Sequence, residues 1–458
     1  MSAYQRTMGR RKLLAATAGV AAATVLAAPR ASAAPAARTA PAGPAAAANG
    51  GEAAALRALE RAAQPLRTTE PGGRTTDLRA LGSMIGEAVV VGLGEATHGS
   101  HEFFAMKERV FRHLVEEKGF TTFALEMSWT AGLRIDEYLQ GGAGELRRIA
   151  KETLGGSPWE REEFVSLIAW MRWYNDRHPG RKVHFMGNDV GAPRLGDAAF
   201  ERVLSHVRGD HPQDLARLTE LYAGLRPFDD VFAHLQKPVA ERRADAATAQ
   251  RALDLVAAHP AGGEACAWTL QHARNIAQTF AFASLDLSDP ESVSAAEHLR
   301  DRVMADNTVW WHRRTGDKML LSAHNGHVGY LSTDPVMYPT TQGAFLRNTL
   351  GSDYAAIGFT FARGSFLTAT TLGSAWNKVT VPAAAPGSQE HTLDRVRHRD
   401  YYLDLRTLAT AGRSWLDTPR PVYEAGSSFR NDPPPTLAIG PAYDVLVHVS
   451  RVREATAL

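Results

Sequence analysis

Glu95, His98 and His101 follow one short apolar run; Glu126 closes a second, Asp189 a third, and His324 with His327 a fourth. Imidazole beside carboxylate is the pairing that activates water. A histidine with its ordinary pKa of about 6.5 accepts a proton from water near neutrality. A neighbouring carboxylate fixes the tautomer and stabilises the imidazolium that forms, and a second imidazole or a cation then stabilises an oxyanion. The sequence has no G-x-S-x-G elbow, P-loop or dinucleotide fingerprint, which weakens a Ser-His-Asp reading. The pairs His98/His101 and His324/His327, each three residues apart, also have the donors for Zn²⁺ or Mn²⁺. Neither makes H-E-x-x-H, so we expect metal-free general-base chemistry, with a divalent metal as the less favoured alternative and no other cofactor.

These residues need a frame that brings them together. The segments AVVVGLGEATH, FTTFALEMSW, KVHFMGNDVG, KMLLSAHNGHVG and YAAIGFTFARG read as buried strands feeding loops, and YDVLVHVS, Tyr443 to Ser450, adds another. In the first loop, Gly92, Gly94 and Gly99 are expected to allow sharp turns, and Ser100 to cap the next helix. Helical periodicity covers Ser100–Lys118, Ala131–Tyr138 and Arg161–Asn175, after a first amphipathic helix around Glu52 to Arg61. Strands alternating with helices predict a largely parallel sheet, in which ligands bind at the carboxyl ends of the strands. Four such ends carry acids or imidazoles, so an active site is expected along that edge. From about Leu195 to Thr315 the pattern is helical throughout, too long and regular for a loop, and predicts an insertion beside the site. Core packing is expected there for Trp268, Phe280 and Phe282, ahead of pocket lining.

The remaining composition narrows the class. The chain has 458 residues, a formal net charge of +2 and one cysteine, Cys266, which we read as simply buried. There is no case for a nucleic-acid partner, an intrachain disulfide or a cysteine metal cluster. Residues 1–33 read as a twin-arginine export signal, with Arg10-Arg11, a short alanine-heavy apolar stretch and Ala31-Ser32-Ala33 before cleavage at Ala34. A secreted or extracytoplasmic protein follows, exported already folded and without stable membrane insertion after cleavage. Residues 34–51 read as a disordered Ala/Pro linker, and 52–458 as one catalytic domain.

Four linked segments, GLGEATHGSHEFFAMKERVFRHLVEEKGFTTFALEMSW, FMGNDVGAPR, LRDRVMADNTVWW and SAHNGHVG, resemble the erythromycin esterases in the family's order, within a span from about Leu78 to Val449. The resemblance implies a three-layer α/β sandwich with a largely parallel sheet, a helical insertion and a smaller α+β portion. It implies a carboxylic ester hydrolase that opens a lactone with activated water and no covalent intermediate. It makes His98 the general base within a Glu-x-x-His loop begun by Glu95, and Glu126 the orienter of water or imidazole. His324 becomes a contact to substrate or developing oxyanion, with His327 beside it. Nine residues after the base, Lys107 stands where macrolide-cleaving members carry a functional arginine. Lysine keeps the charge but loses the planar two-pronged donor, which bears on macrolide specificity more than on catalysis. Arg300 and Asp301 match the family's Arg-Asp pair, read as substrate-proximal or as a helix salt bridge. His101, Asp189 and Arg300 join Lys107 and His327 as candidate substrate contacts. The expected partner is a small lactone or ester. Two other readings use the same residues: a secondary-metabolite cyclase, transesterase or lyase, and a haem- or metal-binding protein.

Overall fold

The computed structural model describes residues 45–259, 262–369, 375–429 and 433–458, so the segment read as an export signal, and the segment read as a linker up to residue 44, lie outside the described residues. Its centre is an eight-stranded sheet in the order β1-β9-β12-β6-β2-β5-β3-β4. The strands are β1 (Gln64–Pro65), β2 (Val90–Leu93), β3 (Phe120–Ser128), β4 (His184–Asp189), β5 (Lys318–Ser322), β6 (Tyr354–Phe361), β9 (Asp400–Asp404) and β12 (Val445–Val449). Neighbours from β12 to β4 are parallel, whereas β9 runs antiparallel to both β12 and β1. Two antiparallel ribbons, β7 (Gly364–Thr368) with β8 (Asn377–Val381) and β10 (Arg420–Pro421) with β11 (Thr436–Leu437), make the smaller strand-bearing portion.

The three layers follow from side-chain alternation along the strands. Val91, Leu93, Phe123, Leu125, Phe185 and Leu320 face one apolar core, which they share with the helices His101–Lys118 and Glu162–Arg177. Val90, Ala124, Met186, Met319 and Leu321 face the other, shared with the helices Ala45–Ala62 and Gln342–Leu350. With both faces covered, the strands read as continuous apolar runs, as parallel sheets do.

Three local expectations change. The first helix begins at Ala45, inside the segment read as linker, because an alanine run has the highest helix propensity. Ser100 occupies the N-cap of the helix His101–Lys118 but its side chain makes no capping bond; its hydroxyl lies 2.5 Å from that of Thr97. Gly92, Gly94 and Gly99 are absent from the positive-φ glycines, so sharp turning is not what requires them. Close approach is: a Cβ on Gly99 would sit 2.0 Å from the Leu367 carbonyl oxygen, and one on Gly94 2.2 Å from Asn325 Oδ1.

The helices from Asp197 to Ala283 have a core of their own around Phe200, Val203, Leu218, Tyr222, Phe228 and Phe280. The last helix of the segment, Pro290–Thr315, belongs to both parts. Val293 and Ala296 pack in a small cluster at the insertion side, whereas Val309 and Trp311 pack under the sheet. It is therefore the crossover that delivers the chain to β5, and it carries Arg300 and Asp301 between the two regions. No described helix is long and apolar enough to cross a membrane.

Candidate active site

Strands β2, β5, β3 and β4 are consecutive in the sheet, which puts their carboxyl ends side by side. The loop after β2 is pinned from outside. Ala425 N–H donates to Ala96 O at 2.8 Å and His98 N–H donates to Ala425 O at 3.1 Å, closing a parallel bridge between Thr97 and Ala425. Within the loop, His98 Nδ1 lies 2.5 Å from Glu95 Oε1. A carboxylate can only accept, so Nδ1 donates and Nε2 is left as the free base. The other oxygen, Glu95 Oε2, is 2.8 Å from Lys107 Nζ.

Lys107 is wholly buried, and its ammonium also donates to Leu93 O at 3.1 Å and Ala323 O at 3.3 Å. Two carbonyls and the Glu95 carboxylate thus surround the ammonium, and Lys107 is not among the residues that line the cleft. The expectation that Lys107 contacts substrate is corrected: it clamps Glu95 from behind. Burial pushes its pKa below the ordinary value, against the pull of Glu95.

A second network joins β3, β4 and the crossover helix. Arg300 Nη2 donates to Glu126 Oε1 at 2.8 Å and to Asp189 Oδ2 at 2.5 Å, and Nε donates to Asp189 Oδ2 at 2.9 Å. His327 has Nδ1 2.6 Å from Asp301 Oδ1 and Nε2 3.2 Å from Glu126 Oε1. Arg300 and Asp301 therefore do not form a salt bridge with each other; each reaches a different strand end. Burial disfavours every charge here, yet His327 and Arg300 hold Glu126 well below the usual carboxylate range. Burial also opposes the charge on His327, but Glu126 and Asp301 raise its pKa well above the usual imidazole value. One guanidinium serves two carboxylates, and burial leaves Asp189 raised despite Arg300.

His324 connects the two networks. Its backbone N–H donates to Glu126 Oε2 at 3.0 Å, and its ring lies 4.8 Å from the His98 ring between centroids. Burial and the adjacent His98 push its pKa well below the usual imidazole range, so the ring is neutral. Gly326 N–H donates to Nδ1 at 3.2 Å, which places the ring proton on Nε2. That Nε2 is buried and has no hydrogen-bond partner among the described residues.

His98, His324, His327, Glu126 and Arg300 line one side of a cleft of about 470 Å³, and Glu424, Gly426 and Thr333 line another part of it. Glu126 and Arg300 also border a smaller cavity beyond, with Trp159, Asp189 and Phe282. His101 is outside both. Its Nδ1 is 2.7 Å from Glu163 Oε1 and its Nε2 3.1 Å from Glu70 Oε1, and the Glu163 bond, opposed by burial, raises its pKa. The expectation of a substrate contact at His101 is corrected: both of its ring nitrogens are held by acids outside the cleft. Cys266 is only partly buried, with Sγ 3.4 Å from His206 Nε2, on the insertion and away from the cleft. Trp268 packs against Trp310 and Trp311 and Phe280 lies in the insertion core, as expected, while Phe282 reaches the smaller cavity.

Asp301 and Glu424 complete the site in ways their spacing does not announce. Asp301 was named with Arg300 through the family resemblance, but not as the partner of His327. Glu424 had no signal, because it precedes an isolated bridge residue far along the chain.

A sequence model of the family described as erythromycin esterase matches residues 115–452. The Glu95–His98 loop thus precedes the matched span. The chain is 26% identical over 345 residues to an erythromycin esterase type II of Escherichia coli, covering 66% of this chain and 75% of the relative. It is 24% identical over 395 residues to the putative hydrolase YbfO of Bacillus subtilis, covering 79% and 84%. Among solved structures, a succinoglycan biosynthesis protein superposes with a TM-score of 0.79 at 29% identity, covering 89% of this chain and 99% of that one. A mutant erythromycin esterase in an open conformation shares the fold, with a TM-score of 0.63 at 19% identity over 85% and 97% of the two chains.

Proposed function

The chain belongs to the erythromycin esterase family, and we propose that it is an exported hydrolase of a lactone or carboxylic ester, with His98 as the base that activates water. The observation that carries this reading is the His98–Glu95 pair, which fixes the proton on Nδ1 and leaves Nε2 as the acceptor of a cleft-lining ring. Water gives its proton to Nε2 and attacks the carbonyl carbon. Glu95, clamped by Lys107, stabilises the imidazolium as it forms. The unsatisfied Nε2–H of neutral His324 is the donor for the oxyanion, and the positive charges of His327 and Arg300 lie behind Glu126 on the same wall. Glu126 ties these groups together, and so has a positioning role. The pair Arg10-Arg11 supports export.

The experiment for this reading incubates the purified protein with macrolactones and simple esters and records product masses. A gain of one water marks hydrolysis. A product isomeric with its macrolactone, or fragments summing to the mass of a simple ester, would mean that no water is added and would point to elimination or transesterification instead.

Dialysis against a strong chelator is expected to leave most activity intact. His98 Nδ1 is taken by Glu95, and the ring nitrogens of His327 are occupied, Nδ1 by Asp301 and Nε2 by Glu126 and Arg300. Among the described residues, the group of three metal-ligand types whose donor atoms converge is His206, Asp210 and Cys266, outside the cleft. Chelator-sensitive activity restored by Zn²⁺ or Mn²⁺ would overturn the metal-free mechanism and recast the histidines as ligands.

A further inference from the structure

We propose that Glu424 is the acid that protonates the departing alcohol oxygen, and that the cleft is accordingly built for esters and lactones of aliphatic alcohols; this rests on the ester-hydrolase reading above. An alkoxide is a strong base and leaves a tetrahedral intermediate slowly unless it is protonated as it goes, whereas a nitrophenolate leaves without help. An enzyme for aliphatic esters therefore needs a placed acid.

Three carboxyl groups line the cleft among the described residues: Glu126, Asp334 and Glu424. Glu126 accepts from Arg300 and the His324 backbone and pairs with His327, so it is held as a carboxylate. Asp334 is exposed and accepts from the Met337 backbone N–H. Glu424 differs from both. Its side chain is 13% exposed, and the imidazole near it, His324 Nδ1 at 3.5 Å from Oε1, is neutral. No lysine or arginine pairs with it among the described ion pairs. A carboxyl shielded from water without a cation favours its neutral, donating form. Burial accordingly pushes it up to about 7, with a hydrogen bond from Thr333 pulling the other way.

Its position is fixed relative to the base. Glu424 directly precedes Ala425, which exchanges backbone hydrogen bonds with Ala96 and His98. The acid and the base are thus carried on two paired segments and lie around one cleft, with the His324 ring next to both.

Water gives one proton to His98 Nε2, its oxygen bonds to the carbonyl carbon, and the π pair moves to the carbonyl oxygen. That pair returns, the bond from carbon to the alkoxy oxygen breaks, and the alkoxy oxygen takes the bond pair and the Glu424 proton. The products are a carboxylic acid and an alcohol, leaving a Glu424 carboxylate and a His98 imidazolium. Transfer of the His98 proton to Glu424 through cleft water resets both groups.

The test compares wild type, Glu424→Gln, Glu424→Asp and His98→Gln on 4-nitrophenyl and butyl esters of the same acids in a short-to-long acyl series. Glu424→Gln is expected to lower kcat/KM for the butyl esters by about 10²–10⁴ and for the nitrophenyl esters by less than about threefold. Glu424→Asp should restore part of the butyl activity, and His98→Gln should lose both. Equal loss on both ester types would make Glu424 a structural or binding group, and no loss on either would give the leaving-group proton to His98; each overturns the assignment. A wild type that cleaves neither class would refute the ester-hydrolase reading itself, and this assignment with it.

Discussion

His98→Gln is expected to lower turnover by about 10²–10⁴ while thermal unfolding stays close to that of wild type. The amide keeps a polar group against Glu95 but offers no basic nitrogen to the cleft. The backbone around residue 98 is held by Ala425 and the helix that follows, and the ring is not part of an apolar core. The fold therefore has little reason to change. Near-normal turnover in the folded variant would remove His98 from the reaction and direct the search for a base to Glu95, Glu126 and Asp189.

Arg300→Met should have the largest effect on stability. The guanidinium is the cation between Glu126 and Asp189, and Glu297 lies 3.9 Å from it, wholly buried, with neither carboxylate oxygen hydrogen-bonded among the described residues. Burial pushes Glu297 up to about 8 even with Arg300 present. Removing one partner of a buried ion network typically costs about 3–5 kcal/mol. The pH dependence has a definite sign. Without Arg300, the buried acids have folded pKa values above their unfolded ones, so the folded state binds more protons between those values. The stability gap between variant and wild type should thus widen as pH rises from about 5 to 8 and narrow on acidification. Denaturant unfolding across that range checks it. A pH-independent gap would mean that Arg300 contributes packing rather than charge compensation.

The strand ends were legible because a buried parallel strand is an unbroken apolar run, and an acid or imidazole that ends it is conspicuous. That signal marked Glu95, His98, Glu126, Asp189, His324 and His327, and the sheet order sets those four strands side by side. Direction was not legible. His98 and His101 are one helical turn apart around the start of the same helix, yet one faces the cleft and the other faces Glu163 and Glu70. Lys107 follows the same rule: the family resemblance marked the position, but only the fold shows that it sits behind Glu95. Arg300 and Asp301, adjacent in sequence, project to different partners because successive helical residues point about 100° apart. Glu424 was hidden for another reason. It enters the site through an irregular segment whose backbone pairs with a loop, and such pairing leaves no hydrophobic period to read.

Direct attack by water on the ester carbonyl is tested by isotope labelling. A single turnover is run in water enriched in oxygen-18 with enzyme in excess, using an ester that the protein cleaves, and both the products and the intact protein are weighed. Direct attack by activated water predicts label in the carboxyl group alone, an unlabelled alcohol, and a protein mass unchanged at every time point. A protein heavier by the acyl group during turnover, or label in the alcohol, would contradict it.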